Sequence, residues 1–265
     1  MPSHSYTLNM QLDLFAWYAV KNIFEIAIMK LNNIALYEFF QEKSITHLHH
    51  ANTVATSISF ILSGGLLSRG DVERKTLTQT AQASDDEDKE FDVWDDVFLD
   101  TADLHGYFPR QNLYGPVLFK LNVSFLLEDN VDVWITKDNP MYWNNTVSFE
   151  DRYFQSVDEL RTDWDKYERQ KKMITIRKPG RPVVFSALEE IILDDPRIQI
   201  YGGVHLGNEM IKALTSATAS DKELQKKLKL RECRSCYCRD NYLRQVSVEQ
   251  SARLFLPKEH EHFPD

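Results

Sequence analysis

PVVFSALEEIILDDP, residues Pro182–Pro196, is an apolar run interrupted by two acidic residues. Val183, Val184, Phe185, Ile191, Ile192 and Leu193 are the residue types that fill a half-buried strand. Glu189 and Glu190 sit inside the run, and carboxylates are rarely buried without a partner. Adjacent strand residues point to opposite faces, so the pattern predicts that at most one of the two faces a given cleft. Taken alone, it fits equally a solvated glutamate beside one at a sheet edge.

Working outward, MITIR (173–177) precedes this stretch across a turn at Lys178–Pro182, and IQIY (198–201) follows it; both read as strands. DDVFLD (95–100), GPVLFKLNVSFL (115–126) and VDVWIT (131–136) are further short β-branched and aromatic segments, separated by turn residues. Ser44–Leu48 (SITHL) reads as a strand ending in a polar cluster, His47, His49 and His50. Apolar spacing predicts helices over Leu8–Phe40 with a break at Asn32–Asn33, over Asn52–Ser63 with a stop at Gly64–Gly65, and over Phe149–Lys172. Asn208–Leu214 and Lys222–Leu230 are also expected to be helical. The polar stretch from Gly70 to Asp92, ending in DDEDKEFD (85–92), reads as a mobile surface loop with no chemical role. The expected architecture is a single α+β domain: a helical extension over 1–43, the main domain over 44–215, and a basic, cysteine-containing segment over 216–265.

Composition sets the outer limits. The chain of 265 residues is 43% hydrophobic and 27% charged, which excludes wholesale disorder. A net charge of −9 argues against a generally basic nucleic-acid binder but leaves room for a local basic groove. Asp13, Lys21, Glu25 and Lys30 interrupt the apolar N-terminal segment, so neither a spanning helix nor a cleaved signal is expected, and the location expected is cytoplasmic.

The 3 cysteines cluster at Cys233, Cys236 and Cys238. They suit reduced thiols better than a disulfide framework. A zinc site would need a fourth ligand, from His205, His260 or His262. A metal site from His47, His49 and His50 lacks a neighbouring carboxylate or cysteine in sequence, and no metal is expected. Lys226, Lys227, Lys229, Arg231, Arg234, Arg239 and Arg244 make the same region the most basic in the chain. That region is either a surface for nucleic acid or an acidic partner, or a solvated face.

Several segments resemble one family in order. ITHLHHANTVATSISFILSGGLLSR (45–69) resembles the opening of DarT-like ADP-ribosyltransferases. GYFPRQNLYGPVLFKLN (106–122) resembles their aromatic segment, VDVWITKDNPMYW (131–143) their strand and turn, and VDELRTDWDKYERQ (157–170) their Trp-containing helix. LEEIIL (188–193) is similar to the strand carrying their catalytic glutamate. Together these segments span roughly residues 44–205.

The resemblance implies a split β-sheet with a cleft for NAD and transfer of ADP-ribose to a macromolecule. DNA or RNA is the favoured acceptor and protein an alternative. It further implies a toxin or phage-conflict role, for which an inhibitor or antitoxin is a natural partner. Breaking the nicotinamide–ribose bond passes through an oxocarbenium-like centre that a carboxylate stabilises. The family's acid-plus-three-apolar pattern aligns on Glu190 as catalytic, with Glu189 as the alternative. By the same resemblance His47 faces NAD, Arg110 and Arg69 are candidates for the pyrophosphate with Arg74 a third, and Tyr107 and Phe108 form a wall for nicotinamide. A non-catalytic nucleic-acid-binding module on the same fold and an NAD glycohydrolase are the competing readings.

Overall fold

The computed structural model describes residues 30–103, 105, 113–128, 130–166, 173–232 and 237–264. Its strands are β1 (His47–Asn52), β2 (Val97–Leu99), β3 (Val117–Asn122), β4 (Val133–Ile135), β5 (Ile174–Ile176), β6 (Leu188–Asp195) and β7 (Leu228–Glu232). They form two sheets, one in the order β1-β3-β6-β7 and one in the order β2-β5-β4. Backbone pairing of His49 with Asp100, just past β2, joins the two. The α+β class and the split sheet expected from the sequence are the architecture observed.

β3 sits between β1 and β6 and is antiparallel to both, whereas β7 runs parallel to β6. A parallel partner needs a crossover. The helices Leu206–Ala217 and Lys222–Lys226 lie within that connection. One face of the larger sheet is apolar: Leu48, Val117, Phe119, Leu121, Leu188, Ile191 and Leu193 are buried there. The helices Val54–Ser63, Leu206–Ala217 and Val248–Phe255 pack on one another, and Leu206–Ala217 also contacts β6. Helix Asn33–Glu42 contributes Leu36, Phe39 and Phe40 to the same core. The opposite face carries His47, His49, Lys120, Asn122 and the two glutamates.

Several local expectations change. β1 begins near the point where a strand was expected to end, so the histidines lie within it. The 70–92 region is not a loose loop: it contains helices Arg69–Arg74 and Asp85–Glu90, and Thr80, Asp88 and Phe91 are buried. Helix formation in the 149–172 region is confined, among the described residues, to a 3-10 turn and Val157–Asp163. IQIY makes only an isolated bridge, between Gln199 and His205, and Lys222–Leu230 splits into a short helix and β7. The tail carries the helices Cys238–Gln245 and Val248–Phe255, the second buried through Leu254 and Phe255. The decisive stretch is also shorter than expected. Val184 takes φ 62 and a 3-10 turn at Phe185–Ala187 follows, so β6 starts only at Leu188.

The Gly64–Gly65 stop sets where β6 begins. Gly64 closes the helix in the left-handed region at φ 74, and Leu66 then exchanges both backbone hydrogen bonds with Val183 at 3.0 Å. A Cβ on Gly65 would lie 2.7 Å from the Val183 nitrogen and 2.8 Å from Pro182 Cβ, whereas Gly64 faces open space. Gly65→Ala therefore displaces backbone, at about 1–3 kcal/mol. Gly64→Ala carries only the left-handed penalty of about 1 kcal/mol. Urea denaturation is expected to show the larger loss for Gly65→Ala at unchanged m-value, and equal losses would contradict this packing.

Candidate active site

Register decides which β1 and β3 side chains meet. His47 lies opposite Asn122 and His49 opposite Lys120, which puts all four on the polar face. His50 lies opposite Phe119 and points into the core between Phe60 and Phe119. Across β3, Lys120 pairs with Glu190 but Leu121 pairs with Leu188, leaving Glu189 as the extra residue of a bulge. The bulge overturns the expectation that the two glutamates point to opposite faces: both turn to the polar side of the sheet. Leu188 and Ile191 both remain on the core face, and the two residues between them turn outward together. Lys120 Nζ lies 3.2 Å from Glu190 and 4.0 Å from Glu189.

Glu189 is held at both oxygens. His47 Nε2 is 2.6 Å from Oε2, and Asn122 Nδ2 donates to Oε1 at 2.8 Å. Thr46 Oγ1 lies 2.8 Å from His47 Nδ1, so a neutral ring accepts there and donates from Nε2 to Glu189. Asn122 Oδ1 accepts from the Ser124 backbone N–H at 2.9 Å, which fixes the amide orientation. The Asn122 bond, reinforced by His47 and Lys120, keeps the Glu189 carboxyl below the usual range. The group is still 40% exposed, so an incoming ligand can reach it. His49 lies deeper, where burial pushes its imidazole below the ordinary value. Its Nδ1 is buried with no hydrogen-bond partner among the described residues.

Farther along the same face, Asp194 is buried between His105 Nδ1 at 2.8 Å and Arg231 Nε at 2.7 Å, and Arg231 also reaches Asp103 at 2.7 Å. Between the two polar groups lies a small apolar patch of Ala51, Leu118 and Ile192. The face thus offers a carboxylate oriented by two hydrogen-bonding partners, a second carboxylate with a lysine, and an apolar strip beyond.

The other sequence candidates fall elsewhere. Arg69 is bound by Asp85 at 2.8 Å and the Thr80 carbonyl at 3.1 Å, with its guanidinium 5.1 Å from the Trp94 ring. Thr80 touches Thr53 at 2.7 Å, at the far end of β1 from His47. Strand rise separates those ends by roughly 17 Å. Arg74 is engaged by Asp71 and Asp95. Tyr107, Phe108 and Arg110 lie outside the described residues, as do Cys233 and Cys236. Among the described residues no group of three or more His, Cys, Asp or Glu side chains is arranged to hold a metal, and no helix is long and apolar enough to cross a membrane. Lys120 and Asn122 were not recognised from sequence. Alternate positions in FKLN carry the signal, but only the β1–β3 register makes them neighbours of His47.

No protein-family model matches the chain, and no curated protein matches it. Among solved structures it is similar to Thermus sp. 2.9 DarT in complex with ADP-ribosylated ssDNA, at 11% identity and a TM-score of 0.46, covering 71% of this chain and 95% of that one. The same protein in complex with NAD+ is similar at 10% identity and a TM-score of 0.41, over 71% of this chain and 96% of that one. Likeness at this level transfers no residue role.

The contrast between core and cleft histidines is measurable. His50 Nδ1 lies 2.8 Å from the Phe98 carbonyl, and Nε2 lies 3.3 Å from the Asn52 amide nitrogen. Both contacts suit the neutral ring, and burial lowers its pKa. A depressed histidine contributes stability that is complete above its unfolded value of about 6.5 and lost as pH falls through the folded value. An NMR titration should find His50 titrating below the ordinary histidine value of about 6.5. Titration at or above the ordinary value would contradict its placement.

Proposed function

We propose that the chain is an NAD-dependent mono-ADP-ribosyltransferase that transfers ADP-ribose to a macromolecule, with nucleic acid as the favoured acceptor. The observation that carries this reading is the Glu189 carboxylate, exposed on a sheet face and oriented by His47 and Asn122 at 2.6 and 2.8 Å. The segment order that resembles DarT-like enzymes supports the same reading from a separate direction.

The chemistry asks little of the protein beyond charge and position. The C1′–nitrogen bond to nicotinamide breaks, its electron pair leaves with the neutral ring, and positive charge develops on the ribose. A preorganised carboxylate stabilises that charge and accepts a hydrogen bond from a ribose hydroxyl. His47, whose ring nitrogens are taken up by Thr46 and Glu189, holds that carboxylate in place rather than meeting NAD itself. The acceptor then forms the new bond to C1′ and gives up a proton.

The sequence pattern places Glu190 in the catalytic position. The hydrogen bonds favour Glu189, because among the described residues Glu190 has only Lys120 as a charged contact within 4 Å. Arg69 remains a candidate for the pyrophosphate, and would have to leave Asp85 to serve. A toxin or phage-conflict role with an inhibitor or antitoxin follows from the resemblance, and a cytoplasmic site of action from the charged interruptions of the N-terminal apolar segment; both belong to the same proposal.

Incubation with labelled NAD and either oligonucleotides or cell lysate tests the activity. Label is expected to move to a macromolecule, and to do so about 10²–10³-fold more slowly in Glu189→Gln. Glu190→Gln should retain more activity than Glu189→Gln, and the reverse order would return the catalytic role to Glu190. Release of free ADP-ribose alone would make the protein a glycohydrolase. A folded protein that neither cleaves NAD nor gains melting temperature from it would favour the binding-module reading.

A further inference from the structure

We infer that Lys120 is a positioning residue that keeps two adjacent glutamates ionised on one face of the sheet. The inference rests on the proposed reaction only for its functional consequence. Its physical basis is the bulge, which turns Glu189 and Glu190 outward together. Two carboxylates so placed repel each other, and with no counter-charge one of them keeps its proton to higher pH. Lys120 Nζ sits at 3.2 Å from one and 4.0 Å from the other, and is itself only 26% exposed. A half-buried cation shared by two anions is screened less than a surface pair.

Asn122 and His47 hold Glu189 by hydrogen bonds, but among the described residues Lys120 is the one ammonium within 4 Å of either glutamate. From β1, His47 contacts Glu189 as a hydrogen-bonding ring, and His49 is held neutral by burial. At the start of β7, the Lys227 ammonium donates to the Leu188 carbonyl, and Lys229 lies opposite Ile192 rather than the glutamates. Asp194 is engaged by His105 and Arg231. Glu189, Glu190 and Lys120 by themselves sum to one negative charge on this face. That sign suits a ligand carrying a pyridinium and passing through a cationic sugar. Removing Lys120 leaves the two carboxylates facing each other without a shared ammonium, and the pair takes up a proton at higher pH.

The test is a side-chain carboxyl NMR titration of the full-length protein, with glutamates labelled and Lys120→Met and Lys120→Arg compared with wild type. In Lys120→Met one carboxyl of the pair should titrate higher, by up to about 1 unit given their partial solvation. Lys120→Arg should restore the wild-type curve. The acid limb of NAD cleavage should move by the same amount and in the same direction in Lys120→Met. Unchanged carboxyl titrations in folded Lys120→Met would overturn the inference, as would failure of arginine to restore them. Should Lys120→Met not fold, Lys120→Gln carries the same comparison. The titration needs no activity, so a protein that never cleaves NAD would sink the proposed function while Lys120 is still decided by the curves.

Discussion

One irregularity in strand pairing governs the candidate site: between Leu188 and Ile191, β6 carries one residue more than β3 can match. A regular strand would send Glu189 and Glu190 to opposite faces, one of them into a core lined by Phe119, Leu121 and Leu193. Burying an unpaired carboxylate there costs several kcal/mol, on the order of a small domain's whole stability. The bulge removes the conflict. It keeps Leu188 and Ile191 in the core and puts both charges where histidine, asparagine and lysine can meet them. Bulges of this kind re-aim side chains and recur next to active sites.

The rest of the fold holds that irregularity in place. β3 is the shared neighbour, presenting Phe119 and Leu121 to the core while Lys120 and Asn122 reach the polar face. β1 then supplies His47 at the end nearest the bulge, and the Leu66–Val183 bridge anchors the chain before it enters β6. Hydrophobic burial fixes the register, and the register fixes the chemistry. A slip of one residue would exchange the two faces of β1 and place His50, now packed against Phe60, among the glutamates. The polar contacts are individually modest because the carboxylates are partly solvated. Their value lies in orientation.

Much of the fold was legible in the residues. The β-branched segments, the Asn52–Ser63 helix and its glycine stop follow local rules, and the structure reproduces them. His47 and Glu189–Glu190 were marked by being polar groups within or beside apolar strands. Periodicity was blind to the bulge, because alternation presumes a regular ladder and Glu189 breaks it. Lys120 and Asn122 were hidden for a related reason: their partners lie at sequence separations of 70 and 67, and only a known register connects them. The 70–92 stretch misled in the opposite direction. Its polarity reads as solvation, yet the Thr78 carbonyl accepts from Ser59 and the Thr80 N–H donates to Thr56, which ties the segment to the Val54–Ser63 helix.

The central question is whether a dinucleotide engages the face that the bulge creates. Carboxyl and imidazole NMR of the intact protein, titrated with a non-cleavable NAD analogue, measures this directly. The predicted result is a saturable shift of the Glu189 carboxyl and His47 ring signals, with the core ring of His50 unmoved. Shifts confined to other residues, or none at saturating analogue, would contradict it.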